Sequence, residues 1–247
     1  MKRTVIAILL LLPALAFGQR TPGTGDDTSA MVVDRYLQLM NFEGYSTDSM
    51  LVMETAVTVY GSDDTLWMYR WFSPPRKHRV ELWHKGTLIE GLIGNNEDVF
   101  LHYDAREHQW KDVDEQEFLT QVSGYDFRGP LYLWRWNGSS LTWNGLTELD
   151  GHTMQVVKVS RPGMYDRFYM FDPGSGLLTL IVESENYSTT HAPMKESHVE
   201  WKSIHEYLPV STHLVPSLES FQRDGKLTIL STTAHIEHMR PRIFNRE

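Results

Sequence analysis

The sequence predicts a mainly β protein with few helices, built as a strongly curved antiparallel sheet or partial barrel. Three observations carry this expectation. From Leu51 onward the hydrophobic period is two rather than 3.6, the β-rich segments are short, and each is bounded by Gly, Pro, Asn or Asp punctuation. Nearly a dozen such segments in one chain make a flat sheet implausible, because strands twist and long sheets curl.

The chain opens with Lys2 and Arg3, the apolar run Thr4 to Leu12 and small residues at Ala14, Ala16 and Gly18. That is the layout of a secretory signal peptide over residues 1–18, with Gln19 expected as the first mature residue. The run is too short to span a bilayer and no second one of spanning length follows, so export to the periplasm as a soluble protein is expected. Removal of the first 18 of the 247 residues leaves 229 and takes the formal charge from −9 to −11. An acidic chain without a basic aromatic stripe is a poor partner for nucleic acid. The 11 histidines and 32 acidic residues are not matched by a single cysteine, which excludes disulfides, thiolate metal sites, thiol catalysis and an N-terminal lipid anchor. The sequons at Asn137 and Asn186 are three-residue matches only, and the bacterial look of the signal argues against their use.

Residues 19–27 are rich in Gly, Thr and Asp and read as a flexible leader to a single domain over 28–247. Thr28 or Ser29 is expected to cap a helix to about Asn41, with Val32, Tyr36, Leu39 and Met40 on one face and Gly44 beyond its end. Strands follow at 51–60, 65–72, 78–85, 87–93 and 97–104, separated by Gly61-Ser62-Asp63-Asp64, Ser73-Pro74-Pro75, Gly86 and Gly94-Asn95-Asn96. Residues 105–145 interrupt the pattern. Within them Asp114 to Glu117 precede Phe118, Leu119 and Val122 as a short helix with acidic residues at its N-terminus, and Trp134, Trp136 and Trp143 follow without clear period. An apolar insertion of this kind has to bury itself against the sheet, and the concave face is the available place. Strands resume at 152–160, 165–172, 177–185, 197–208, 213–222 and 226–238, with turns at Arg161-Pro162-Gly163 and Asp172-Pro173-Gly174-Ser175-Gly176.

Catalytic signatures are missing. Ser175 sits in a hairpin turn rather than a strand-to-helix elbow, Gly174 and Gly176 precede no helix, and Glu54 and Asp166 stand singly on strands. The histidines do not cluster: His235 and His238 fall on opposite faces of a strand, His191, His198 and His205 alternate sides if extended, and His78 and His84 are about 20 Å apart at ~3.3 Å per residue. No metal and no cofactor are expected. The eight tryptophans are the unusual feature. Strand alternation puts Trp67, Tyr69 and Trp71 on one face and Met68, Arg70 and Phe72 on the other, and Trp83, Leu101 and Tyr103 could extend the first set. Such a row lines either a bulky core or an apolar ligand cavity.

Taken in order, the motifs resemble the LolA-like outer-membrane lipoprotein-sorting family. The resemblance rests on the opening helix with Asn41-Phe42-Glu43-Gly44, the aromatic strand broken at Pro74-Pro75, Gly94 to Phe100, and Phe127-Arg128-Gly129-Pro130-Leu131. It continues through Leu149-Asp150-Gly151-His152, Val156 to Val159, Phe171 to Leu178, His205-Glu206-Tyr207-Leu208 and Leu214-Val215-Pro216. It implies an unclosed β-barrel with helices plugging an apolar concavity that holds acyl chains of lipoproteins or lipids, in a non-enzymatic, monomeric periplasmic carrier or chaperone working between membrane-bound donor and acceptor proteins. On this reading Met53, Val57, Trp67, Tyr69, Trp71, Trp83, Leu101 and Tyr103 form the cavity wall. Such carriers often place an arginine directly before the proline after the first aromatic strand, where it helps hold a lid; here Ser73 has that place, with Arg70 and Arg76 nearby. The alternative is a sensor or interaction module on the same scaffold, reading envelope lipoproteins and relaying to a membrane partner.

Overall fold

A computed structural model describes residues 23–40, 49–73, 77–95, 99–122, 125, 130–135, 138–161, 166–183, 200–211, 213–223, 226–238 and 240–244. The expected signal peptide, its cleavage point and the sequon asparagines Asn137 and Asn186 lie outside the described residues.

Fourteen strands form one sheet. They are β1 (Thr24–Gly25), β2 (Ser49–Val59), β3 (Thr65–Ser73), β4 (Lys77–His84), β5 (Thr87–Gly94), β6 (Phe100–Asp104), β7 (Gln109–Asp112), β8 (Ser140–Leu149), β9 (His152–Ser160), β10 (Arg167–Phe171), β11 (Leu178–Glu183), β12 (Glu200–Val210), β13 (His213–Arg223) and β14 (Lys226–His238). Two α-helices, α1 (Asp27–Leu39) and α2 (Glu115–Val122), and 3-10 turns at Pro130–Leu133 and Pro241–Phe244 complete the described structure. The strand order is β1-β8-β9-β10-β11-β12-β13-β14-β2-β3-β4-β5-β6-β7, so the two edges, β1 with β8 and β7, never meet. The pairing of β14 with β2 joins the last strand to the first long one through eleven registered residues and makes two meanders one sheet. This is the unclosed barrel expected from the sequence.

Two parts of the sequence reading are corrected. The helix is capped by Asp26, whose carboxylate accepts from Ser29 N at 2.8 Å and from Trp143 N at 2.7 Å, not by Thr28 or Ser29. The supposed leader therefore ends in an ordered contact, with Thr24 and Gly25 paired in parallel to Ser140 and Leu141. The interruption at 105–145 also hides two strands. Strand β7 is only four residues long, and β8 carries a bulge between Trp143 and Leu146 at Gly145 (φ 87°), which breaks the alternation that would have revealed it. The helix expected after Asp114 is present as α2, with Asp114 Oδ1 accepting from Glu117 N at 2.8 Å.

Register assigns the faces. Leu51, Met53, Thr55 and Val57 of β2 pair with Phe72, Arg70, Met68 and Leu66 of β3, and Arg70 and Met68 pair on with Val80 and Leu82 of β4. Residues of this face pack on the helices. Val32, Val33, Tyr36 and Met40 around α1 share one buried cluster with Leu51, Met53 and Phe72 from one half of the sheet and with Val157, Tyr169 and Phe171 from the other. Strands so far apart in the sheet touch one helix only if the sheet bends around it, so this face is the inner, concave one.

Helix α1 is also clasped at its polar side. Arg35 donates to Pro173 O at 2.8 Å through Nη1 and to Gly174 O at 2.6 Å through Nη2, tying the helix to the β10–β11 turn. Gly176 closes that turn with φ 80°, and a Cβ there would lie 2.6 Å from Arg35 Nε. Gly176→Ala should therefore destabilise the protein by about 1–3 kcal/mol, from a left-handed alanine and a displaced Arg35, as read by chemical denaturation. Asp26 has its carboxyl held below the usual carboxylate range, first by the backbone bond from Ser29 and then by that from Trp143. A depressed folded value stabilises above the ordinary pKa near 3.8 and is lost as pH falls through the folded one. Asp26→Ala should thus lower the melting temperature at pH 7, and circular-dichroism melts should show the gap to wild type narrowing below about pH 4.

Candidate functional site

The inner face between β2 and β6 is the candidate binding region. Met68, Val80 and Leu92 form its floor, and Phe118 and Val122 of α2 cover them, with Val57, Leu82, Phe100 and Leu230 packed around. The contact is close at Gly94, where a Cβ would fall 2.4 Å from Phe118 Cζ, so the helix seats only because this strand position has no side chain. Phe100 and Phe118 stack tilted, 5.3 Å between centroids. Arg70 and Glu90 lie on the same face beside this cluster, in register with Val80 and Leu82.

Beside the apolar floor stands a polar tie. Arg70 is 6% exposed. Its Nη2 donates to Thr55 Oγ1 at 2.9 Å, which is bonded to Thr232 Oγ1 at 2.8 Å, and its Nη1 donates to Tyr125 O at 3.1 Å. Tyr125 lies three residues past the end of α2 and donates its hydroxyl to Glu90 Oε1 at 2.5 Å. Burial, reinforced by that bond to Glu90, pushes the Tyr125 phenol up, so it remains a donor at any pH the protein meets. The sheet thus holds the exit of α2 through one guanidinium and one carboxylate. The position the resemblance assigns to an arginine is taken by Ser73, whose hydroxyl donates to Ser49 O at 3.1 Å and links β3 to β2.

Among the described residues, a cavity of about 10 Å³, room for one water, lies where Met53, Arg70, Phe72, Val80, Val122 and Tyr125 meet Trp71, His78 and Arg79. Along the strands β10 to β13 the inner face is more polar: Arg167 pairs with Glu183 at 2.5 Å, Lys202 pairs with the buried Glu219, and burial raises the Tyr169 phenol to about 12.

The eight residues singled out from the sequence do not come together. Met53 and Val57 lie on the inner face, in the clusters around α1 and α2 respectively. Trp67, Tyr69, Trp71, Trp83, Leu101 and Tyr103 share the opposite, outer face: Trp67 is in register with Trp83, Tyr69 with Glu81, and Trp71 with Arg79, each residue out of phase with Met68, Arg70 and Phe72. Trp67 is 41% exposed, whereas Leu101 is buried. The inner residues missed by sequence reading are Met68, Arg70, Val80, Leu92, Phe118 and Val122. Alternation had already grouped Met68 with Arg70, but the tryptophans drew attention to the other parity. Among the described residues no group of three or more His, Asp or Glu is placed to hold a metal ion, and no helix is long and apolar enough to cross a membrane.

An unclosed sheet wrapped round an N-terminal helix, with a second short helix over its apolar floor, recurs in solved structures. The chain is similar to a LolA superfamily protein from Nitrosomonas europaea, with a TM-score of 0.58 and 8% identity over 88% of this chain and 97% of the other. It is similar to a DUF1329 family protein from Desulfovibrio piger (TM-score 0.56, 10% identity, 90% and 98% covered). A third likeness is to a putative outer membrane lipoprotein-sorting protein domain from Vibrio parahaemolyticus (TM-score 0.54, 11% identity, 88% and 96% covered). What the four chains share at these identities is the fold. No protein-family model and no curated protein matches the sequence.

The Gly94 contact gives a direct test of how α2 is seated. Gly94→Ala should displace Phe118, costing about 1–3 kcal/mol as overpacking does, and should raise limited-proteolysis rates within α2 while leaving α1 protected. Equal protection of both helices in the variant would show that α2 is not held at this point.

Proposed function

We propose that the protein is a non-enzymatic carrier of acyl chains, exported to the periplasm, and that the chains of a lipid or lipoprotein enter the inner face by displacing α2. The observation that carries this reading is the covering itself. Helix α2 is eight residues long, too short to be stable alone, and it is held by Phe118 and Val122 on the apolar side chains of the floor and by Arg70 at its exit. An acyl chain offers the floor the same burial that Phe118 and Val122 supply, worth about 0.8 kcal/mol per CH₂. Ligand and helix therefore compete for one surface. The lipoprotein-sorting domain among the similar structures supports the same choice of ligand.

In this mechanism Arg70 is the latch. Its bond to Tyr125 O exists only with α2 seated, while its bond to Thr55 is independent of the helix. Weakening the latch raises the fraction of open protein and so tightens apparent ligand affinity, since a competent state populated at fraction f binds with Kd divided by f. Arg70→Leu should accordingly bind a fluorescent fatty-acid analogue about tenfold more tightly than wild type, with far-ultraviolet circular dichroism unchanged. Phe118→Ala, which strips much of the competing cover from the floor, should likewise tighten binding of the analogue, with more lipid retained in native mass spectrometry. Wild-type protein that carries no lipid and binds neither the analogue nor an acylated peptide would reject the carrier reading.

A further inference from the structure

The outer face of β3 to β7 carries a second, separate array that the inner-face reading leaves unused. Trp67, Tyr69 and Trp71 of β3, Trp83 of β4, Tyr103 of β6 and Trp110 of β7 lie on it, and every one of the six rings is exposed or half-exposed. The rings are fixed rather than loose. Arg79 lies between two of them, its Cζ 5.8 Å from the Trp71 centroid and 5.9 Å from the Trp110 centroid, and Tyr69 stacks on Trp71 at 6.0 Å. Glu81 is 7% exposed; its Oε1 accepts from Arg79 Nε at 2.7 Å and its Oε2 from Trp83 Nε1 at 2.9 Å. The benzo edge of Trp110 rests against Gly91, where a Cβ would be 2.4 Å from Cη2, so a side chain at 91 would push the indole away. Arg79 also donates to Ile243 O at 2.7 Å, anchoring the C-terminal turn at the margin of the array.

The electrostatics narrow the occupant. The half-buried Arg79 and the buried Glu81 neutralise each other, and exposed carboxylates stand at the border of the array, Glu54 opposite Tyr69 and Asp112 opposite Leu101 in register. A chain of net charge −9 with acidic groups beside the rings repels an anionic bilayer or nucleic acid. Rings held in place lose little entropy on binding, and carboxylates accept hydroxyl protons. Half-exposed aromatics bordered by acceptors, on a chain of net negative charge, complement a neutral polyhydroxylated ligand that has flat C–H faces. We propose that this outer face is an oligosaccharide-binding surface for β-linked pyranose chains, centred on Trp67, Trp83 and Tyr69 and independent of the lipid-binding inner face. Pyranoses with all-equatorial substituents present their axial hydrogens to the rings, whose π-faces are negative, and their hydroxyls to Glu54 and Asp112.

The test is titration calorimetry with cellohexaose and chitohexaose, using maltohexaose, an α-linked and coiled chain, as the comparison. At least one β-linked hexasaccharide should bind at millimolar or tighter Kd and better than maltohexaose. Trp67→Ala, at the most exposed ring, should weaken that binding about tenfold, the upper scale of a single aromatic contact, with an unchanged melting temperature. In case that variant is unstable, wild-type protein with 5-fluorotryptophan should show ¹⁹F shifts on sugar addition confined to outer-face tryptophans, with Trp134 and Trp143 unmoved. Binding of fatty-acid analogue should be the same with and without sugar, which separates this surface from the carrier reading. The proposal is overturned by no binding of either β-linked sugar at 10-fold above millimolar concentration on the usual affinity scale, by equal binding of Trp67→Ala, or by Trp67-dependent binding to phosphatidylcholine or phosphatidylglycerol vesicles in place of sugar.

Discussion

The packing of one α-helix against both halves of a single sheet is the constraint from which the rest of the architecture follows. Val32, Val33, Tyr36 and Met40 reach residues of β2 and β3 and also of β9 and β10, which are far apart in strand order. A fourteen-stranded sheet with one apolar face cannot stay open to water on that side, and twist alone does not close it. Helix α1 supplies the axis around which it curls. The Asp26 cap, the Trp143 amide bonded to it and the Arg35 clasp on the β10–β11 turn set where that axis lies.

With α1 occupying one part of the concavity, the remaining floor between β2 and β6 is left to a much weaker cover. The two helices differ in kind. The first is thirteen residues long, capped, clasped and buried among many strands, whereas α2 has eight residues, with Phe118 and Val122 buried, and a hydrogen-bonded exit. Such an element belongs to the low-stability end of a structure, where local opening costs least. The difference in hold between the two helices is what the carrier mechanism proposed above draws on. Arg70 bridges the sheet and the exit of α2, its buried guanidinium bonded to a strand hydroxyl on one side and to the Tyr125 carbonyl on the other.

The outer face follows another logic. Its rings do not need to be buried for the fold to stand, yet they are organised by Arg79 and Glu81 as tightly as many interior groups. Burying a carboxylate at the surface of a sheet costs free energy unless it is fully bonded, and here both oxygens are engaged. The two faces of β3 therefore serve two environments, Met68, Arg70 and Phe72 the interior and Trp67, Tyr69 and Trp71 the surface.

Most strands were legible in the sequence because alternation is a local property: the segments at 152–160, 213–222 and 226–238 recur almost unchanged as β9, β13 and β14, and the helix after Asp114 follows from its acidic start. Strands β7 and β8 were not, one being too short to show a period and the other bulged at Gly145. The candidate site was half legible. Alternation separates Trp67, Tyr69 and Trp71 from Met68, Arg70 and Phe72, but period two says nothing about which set turns inward. That choice rests on contacts distant in sequence, α1 with β2 and β10, α2 with β4 and β5, and Arg70 with Tyr125 across 55 residues. Composition and pattern thus determined a curved, mainly β chain with apolar insertions and surplus aromatics; the tertiary structure alone decided the inside of the sheet, because the side that meets the helices is set by packing and not by any residue's own preference.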